Sequence, residues 1–158
     1  MEEPVEPFVS EINAQWKEIK KVHEQVSEKR QKLKESPEND SLTDSLGYKL
    51  HNLYSSYEDL FKLVAGFFEN QIDHTERYHI RLLKRMKLEL EGIRPPLLSD
   101  QTFKLLDELR GFRHVFRHAY ARSLNSSRLL ELGEMANRVQ TRFEKDFKRF
   151  KENIKSLS

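Results

Sequence analysis

Two arginines, two histidines and a tyrosine fall within the eight positions 113 to 120, whose sequence is RHVFRHAY. An arginine side chain binds phosphate oxygens, and a neutral histidine can accept a proton and return it. Clustered arginines lower the pKa of a neighbouring imidazole and so favour its neutral form near physiological pH. This stretch therefore has the residue types for cleaving RNA. The imidazole would take the 2′-hydroxyl proton, and the guanidinium would stabilise the charge that develops on the phosphate.

The helix predicted around this stretch has an apolar side and a cationic side. At about 100° per residue, its apolar side is a line of four residues: Leu105, Leu109, Phe112 and Phe116. The wheel predicts that five nitrogen-containing side chains lie on the opposite half: Arg110, Arg113, His114, Arg117 and His118. Tyr120 lies on the flank of Arg113, about two turns further along. The cationic side is therefore a candidate site centred on Arg113 and His118, or alternatively a solvated basic face.

The same residues also allow a metal-binding interpretation. His114 and His118 are four positions apart and would present two imidazoles to one metal ion. The residues between them are Val-Phe-Arg, without a glutamate, and no third ligand is evident nearby. Arg117 would also repel a cation. The sequence therefore favours phosphate chemistry, and it predicts no metal and no cofactor.

The elements that must position these residues are predicted to be helices. Only five glycines and five prolines punctuate the 158 residues, and apolar residues recur every three or four positions. This pattern predicts five helices: from about Phe8 to Leu33, from an N-cap at Ser41 to about Phe68, from a capping box at Asp73 and Glu76 to Gly92, from an N-cap at Ser99 through RHVFRHAY, and from LNSS to about Ile154. The second helix has a stripe of eight aromatic and aliphatic residues that is predicted to be core: Leu46, Leu50, Leu53, Tyr57, Leu60, Phe61, Val64 and Phe68. With short connections and no strand signal, the fold expected is an all-α antiparallel bundle of about five helices, one domain over residues 1–158.

Composition narrows the classes of function. The absence of cysteine excludes disulfides, thiolate catalysis and cysteine-bound zinc, and it suits a reducing compartment. The start, MEEPVEPFVSEI, does not resemble a signal peptide, and no apolar run approaches the roughly 18 residues of a membrane span. The sequence thus predicts a cytoplasmic protein with no membrane partner.

Charge is distributed unevenly along the chain. The net charge is only +2, but residues 74–122 carry eleven basic and six acidic side chains, a net charge of +5. The rest of the chain is therefore net −3. A positive central region is what a surface that binds a polyanion needs, although a solvated face would have the same composition.

Arg113, His118 and Tyr120 together form the pattern R-x4-H-x-Y, which resembles the signature of HEPN ribonucleases and specifically of HepT-type toxins. The stretch GIRPPLLSD, followed by LLDELRGFRHVFRHAYARSLN, is similar to the HepT-like domain, in which a proline-containing loop precedes the motif helix. ERYH at residues 76–79 is also similar to that group. The resemblance is strongest over residues 41–154. It departs at His114, where such proteins often have Asn or Asp.

The resemblance implies a HEPN-like bundle and a metal-independent endoribonuclease, the toxin of a type VII-like toxin–antitoxin pair. Arg113 and His118 would be its catalytic pair, and Tyr120 would receive AMP from a cognate minimal nucleotidyltransferase (MntA-like) antitoxin. A homodimer or an assembly of dimers is also implied. The other basic side chains of the motif face are expected to support RNA binding: Arg110, His114 and Arg117. The alternative is a non-catalytic HEPN helical binding module that partners such a nucleotidyltransferase or binds nucleotide.

Overall fold

The computed structural model describes residues 4–69, 77–118 and 124–157, and for residues 114–118 it describes the backbone alone. Within those residues the chain forms five α-helices, and its only strand-like pairing is an isolated bridge between Leu90 and Arg94. The helices are α1 Val5–Glu35, α2 Asp40–Phe68, α3 Tyr78–Met86, α4 Asp100–His118 and α5 Ser126–Lys155. The predicted all-α class is confirmed.

The long helices α1 and α5 run antiparallel and pack side by side. Lys151, near the end of α5, donates from Nζ to Oδ1 of Asn13 near the start of α1, at 2.8 Å. At the other end of the pair, Nε of Arg30 donates to the carbonyl oxygen of Leu130 at 3.1 Å. These crossed contacts show the opposite directions of the two helices, as expected for an antiparallel bundle.

The core lies where α1, α2 and α5 meet, and it confirms the apolar stripe predicted for α2. Seven of the eight predicted positions are buried: Leu46, Leu50, Leu53, Tyr57, Leu60, Phe61 and Val64. The eighth, Phe68, is partly buried against the same core. From α1, Trp16 packs its ring 5.0 Å from that of Phe143 on α5. Period-3.6 spacing of large side chains thus makes both the helices and their common interior.

The N-terminal caps agree with the sequence prediction at α4 but not at α2. Ser99 caps α4 as predicted, since its Oγ accepts the backbone N–H of Thr102 at 3.3 Å. Asp146 of α5 in turn accepts the backbone N–H of Ser99 at 2.9 Å and its hydroxyl at 3.0 Å, which fixes the start of α4 on α5. The predicted cap of α2 was wrong. Asn39 fills that role by accepting the N–H of Leu42 at 3.1 Å, and Ser41 lies inside the first turn.

The third helix ends earlier than the sequence predicted. Its predicted start at Asp73 and Glu76 lies outside the described residues, but α3 ends at Met86, well before Gly92. Beyond it the chain turns back through Gly92, whose φ of 74° is in the left-handed region that glycine favours. The buried guanidinium of Arg94 donates to two carbonyls at this helix end, those of Arg85 at 2.9 Å and Leu88 at 3.2 Å. Arg94 therefore satisfies one carbonyl in the last turn of α3 and another in the turn that follows the helix.

Candidate functional site

The motif helix α4 extends through His118, so Arg113 and His118 lie on one continuous helix. The side chain of Arg113 is described, whereas those of His114, Arg117 and His118 are not. Tyr120 lies outside the described residues. The geometry of the site is therefore built from Arg113 and the residues around it.

The wheel predicted that Arg113 lies on the half of α4 opposite the core. This prediction was wrong. The side chain of Arg113 is half-buried, and its Nε is buried without a hydrogen-bond partner among the described residues. On the same wheel, with Phe112 at zero, Arg113 lies at about 100°, between Leu109 at about 60° and Leu106 at about 120°. Leu109 and Leu106 are both buried. The prediction failed because the buried arc of α4 is wider than its apolar line and includes a polar contact.

A second correction concerns that apolar line itself. Leu109 and Phe112 are buried as predicted, but Leu106 is fully buried whereas Leu105 is only partly buried. The core-facing direction is thus rotated toward Arg113, because α4 packs against α2, α3 and α5 at once. Phe116 belongs to the residues whose side chains are not described.

The polar contact of Arg113 is with His79 of α3. Nη1 of Arg113 lies 3.1 Å from Nε2 of His79, and Nδ1 of the same imidazole lies 2.7 Å and 2.9 Å from the two carboxylate oxygens of Glu58. The Glu58 side chain is 4% exposed and the His79 side chain 32%. Three helices thus contribute one residue each to a continuous chain of polar contacts that leads from the interior to the motif arginine.

Tyr54 lies one turn before Glu58 on α2 and is completely buried. Burial, reinforced by the charge of Glu58, raises the pKa of its phenol well above the usual range, so the hydroxyl stays protonated. The charges of Arg110 and Asp107 on α4 also act on this hydroxyl. The buried Tyr54 of α2 is therefore close to charged groups of α4 just before the motif.

Arg110, predicted to support RNA binding, is paired within its own helix. Its Nε donates to Oδ1 of Asp107 at 2.8 Å, and the arginine side chain is 28% exposed. The positive charge at this position is therefore partly balanced. Arg113, by contrast, makes no ion pair with a carboxylate among the residues the structure describes, because His79 stands between it and Glu58.

The excess positive charge of the central region is less available than its sequence suggested. Arg94 is fully buried, and its Nη2 lies 3.4 Å from a carboxylate oxygen of Glu69. Lys87 and Lys104 each lie within 4 Å of Asp100, at 3.6 Å and 3.3 Å. Counting charges along the sequence therefore overestimates the positive surface, because it cannot tell a solvated cation from a paired or buried one.

A family model described as HepT-like protein matches residues 45–154, which is more than two thirds of the chain. The chain belongs to the HepT-like family. The match includes α3 and α4 and most of α2 and α5, whereas α1 precedes it. Membership indicates a HEPN-type, toxin-like domain. None of the curated proteins and none of the solved structures matches the chain.

Two residues of this HepT-like site were not identified as such from the sequence: Glu58 and His79. His79 was noted only as the last residue of ERYH, without a partner or a role. Glu58 carried a usable signal, since it is an acid on the core-facing side of α2, four residues after Tyr54 and three before Phe61. A charge on a buried face is rarely tolerated without a partner. That signal predicts a buried polar contact but does not name the residue that supplies it.

The described residues of this HepT-like domain also provide evidence on metal binding and on membrane insertion. Among the described side chains, no group of three or more His, Asp or Glu residues is placed to hold a metal ion. The metal interpretation of His114 and His118 rests on side chains that are not described. Within the described ranges, no helix has an apolar segment of the length that crossing a bilayer requires.

Proposed function

We propose that this HepT-like domain is a metal-independent endoribonuclease, the toxin of a toxin–antitoxin pair, and that Arg113 and His118 are its catalytic pair. The observation that carries the proposal is the setting of Arg113. Its guanidinium is held at 3.1 Å by an imidazole nitrogen and, among the described residues, is not neutralised by a direct carboxylate contact. An oriented guanidinium with its charge available is what binding of a phosphate requires.

In the proposed reaction, a neutral His118 takes the proton of an RNA 2′-hydroxyl, and that oxygen attacks the adjacent phosphorus. The bond from phosphorus to the 5′ oxygen of the next nucleotide breaks, and an imidazolium returns a proton to that leaving oxygen. Arg113 donates to the non-bridging phosphate oxygens while negative charge develops on them. The products are a 2′,3′-cyclic phosphate and a 5′-hydroxyl, and the reaction consumes no water.

The proposal includes a homodimer, or an assembly of dimers, in which two motif helices face each other. One Arg113 and one His118 on a single helix cannot enclose a phosphodiester. A second copy would convert the two helices into a groove, with one imidazole as base and the other as acid. Mass measurement in solution is expected to show a dimer at micromolar concentration. A protein that stays monomeric there would contradict this composite site.

Neutralisation by a minimal nucleotidyltransferase is the remaining part of the proposal. Transfer of AMP from ATP would join the Tyr120 oxygen to the α-phosphorus and release pyrophosphate. Tyr120 follows Arg113 by seven residues, about two helical turns at helical spacing. The added phosphate would bring a negative charge to the arginine that binds RNA, and the adenosine would occupy space that RNA needs. Inhibition would thus be electrostatic and steric together.

The test of the proposal is the chemistry of the cut. Purified protein incubated with RNA in EDTA should produce fragments that end in a 2′,3′-cyclic phosphate, because the nucleophile is the RNA's own 2′-hydroxyl. DNA, and RNA methylated at the 2′ oxygen, should resist cleavage. Mass spectrometry of the fragment ends distinguishes the cyclic phosphate from a plain 3′-hydroxyl.

Two outcomes would contradict this reaction. Activity that EDTA removes and a divalent ion restores would reopen the metal interpretation of His114 and His118. Tight binding of RNA or nucleotide without any cleavage would instead favour the non-catalytic binding module.

A further inference from the structure

A buried acid, an imidazole and the motif arginine are connected by two successive polar contacts across three helices. Glu58 of α2 is nearly inaccessible, His79 of α3 is about a third exposed, and Arg113 of α4 is half-buried. The contacts at 2.7 Å and 3.1 Å are both of hydrogen-bond length. The acid at the interior end is thus nearly inaccessible, whereas the imidazole and the arginine are both partly exposed.

The chemistry of the three groups determines which nitrogen of His79 carries its proton. An ionised carboxylate can only accept, so Nδ1 of His79 donates to Glu58. A guanidinium can only donate, so Nη1 of Arg113 donates to Nε2, which must present a lone pair. Both contacts are satisfied at once only by the neutral imidazole with its proton on Nδ1. Glu58 therefore selects the tautomer that can bind Arg113.

This arrangement differs from an ordinary structural ion pair. A direct contact between Glu58 and Arg113 would neutralise the arginine and leave it little affinity for an anion. With the imidazole between them, the guanidinium is oriented by a neutral acceptor and keeps its charge. The contact uses one terminal nitrogen, Nη1, and no hydrogen bond to a described residue occupies Nη2, which can donate to a phosphate oxygen. Groups that orient a functional side chain in this way are common around active sites.

We infer that Glu58 and His79 are positioning residues that hold the Arg113 guanidinium in the orientation for binding the RNA phosphate. The inference rests on the proposed ribonuclease function and extends it to two residues outside the R-x4-H-x-Y motif. Neither residue needs to touch RNA. Each acts through Arg113, and Glu58 acts through His79 as well.

A matched pair of variants at His79 tests this positioning role. The side-chain amide of Gln extends as far as Nε2 of the imidazole, so His79→Gln can still present an oxygen to Arg113. The amide of Asn extends only as far as Nδ1, so His79→Asn can contact Glu58 but cannot reach Arg113. Single-turnover cleavage should therefore remain within a few-fold of wild type in His79→Gln, whereas it should fall about 10- to 100-fold in His79→Asn and His79→Ala.

The double variants separate positioning from a role in stability alone. In an Arg113→Ala background, His79→Asn should cause no further loss of cleavage, because the residue through which His79 acts is already absent. Nitrogen NMR of the isolated protein should show the Nδ1-protonated tautomer of His79 in the wild type and its loss in Glu58→Ala. Circular dichroism and thermal melts identify any variant that fails to fold.

The outcomes distinguish the inference from the function on which it rests. Wild-type protein that does not cleave RNA would overturn the proposed function, and the positioning role with it. If the wild type cleaves while His79→Asn and His79→Gln behave alike, or if His79→Asn still reduces cleavage without Arg113, the positioning role alone is overturned.

Discussion

Replacing Arg113 or His118 by alanine is expected to reduce RNA cleavage by at least about 100-fold in each case. His118 supplies the proton transfers, which contribute roughly 10²- to 10⁴-fold to such reactions. Arg113 supplies stabilisation of the phosphate charge, and loss of one such donor costs about 10²- to 10³-fold. Initial rates on a defined RNA, measured at saturating enzyme, give the size of each loss directly.

The fold should survive the change at Arg113 even though this residue lies on the core-facing side of α4. Its partner His79 is about a third exposed, so water can take the place of the lost guanidinium at Nε2. Arg113→Lys provides a sharper comparison, because it keeps the charge but loses the planar fork that binds phosphate oxygens in pairs. Cleavage by Arg113→Lys should therefore stay well below that of the wild type.

The control is an arginine of α5 that contacts the opposite end of α4. Arg142 of α5 hydrogen-bonds Gln101 in the first turn of α4, roughly 18 Å along the helix axis from Arg113. Arg142→Ala removes the same charge and should leave the cleavage rate within a few-fold of wild type.

Variants of Arg110, His114 and Arg117 should weaken RNA binding and its salt dependence more than they lower the rate of cleavage. The site would be a binding patch and not a catalytic pair if cleavage fell equally in variants of all five motif-face residues: Arg110, Arg113, His114, Arg117 and His118.

Lowering the pH from 7 to 4 is expected to remove about 3 kcal/mol from the free energy of unfolding through a single residue, His23. His23 of α1 is 1% exposed and contacts α2, with its Nε2 2.7 Å from the hydroxyl of Tyr57. Burial lowers the pKa of its imidazole from 6.5 to about 4. Between these two values the unfolded chain binds a proton that the folded protein does not, so acid favours unfolding. The contribution is complete above about pH 6.5 and is lost as the pH falls toward 4.

Urea denaturation of the wild type and of His23→Gln across this pH range measures the effect. The amide of Gln can still hydrogen-bond Tyr57 but does not titrate. Carboxylates elsewhere titrate in both proteins, so the difference between the two pH profiles isolates His23. That difference should change by about 3 kcal/mol from pH 7 to pH 4. Parallel profiles would mean that His23 is protonated in the folded protein without cost.

The sequence alone was sufficient for the fold class and for most of the core. Apolar residues every three or four positions require helices, and they require that the apolar sides of those helices meet. The predicted stripe of α2 and the cap at Ser99 followed from such local rules, because a cap or a stripe depends on residues within a few positions of one another. The R-x4-H-x-Y pattern likewise occupies only eight consecutive positions. Its resemblance to HepT-type toxins agrees with the family to which the chain belongs.

Only the tertiary structure decided where the motif arginine lies and which residues contact it. A wheel built on apolar residues placed Arg113 on the solvent side, because it assigns every charge to water. In the folded protein α4 packs against three helices, and its buried arc includes a polar contact whose members come from positions 58, 79 and 113. No local pattern brings together residues separated by 21 and 34 positions. The end of α3 also involves a contact from outside the helix, since Arg94 donates to the carbonyl of Arg85 in its last turn and reaches it only once the loop has turned back.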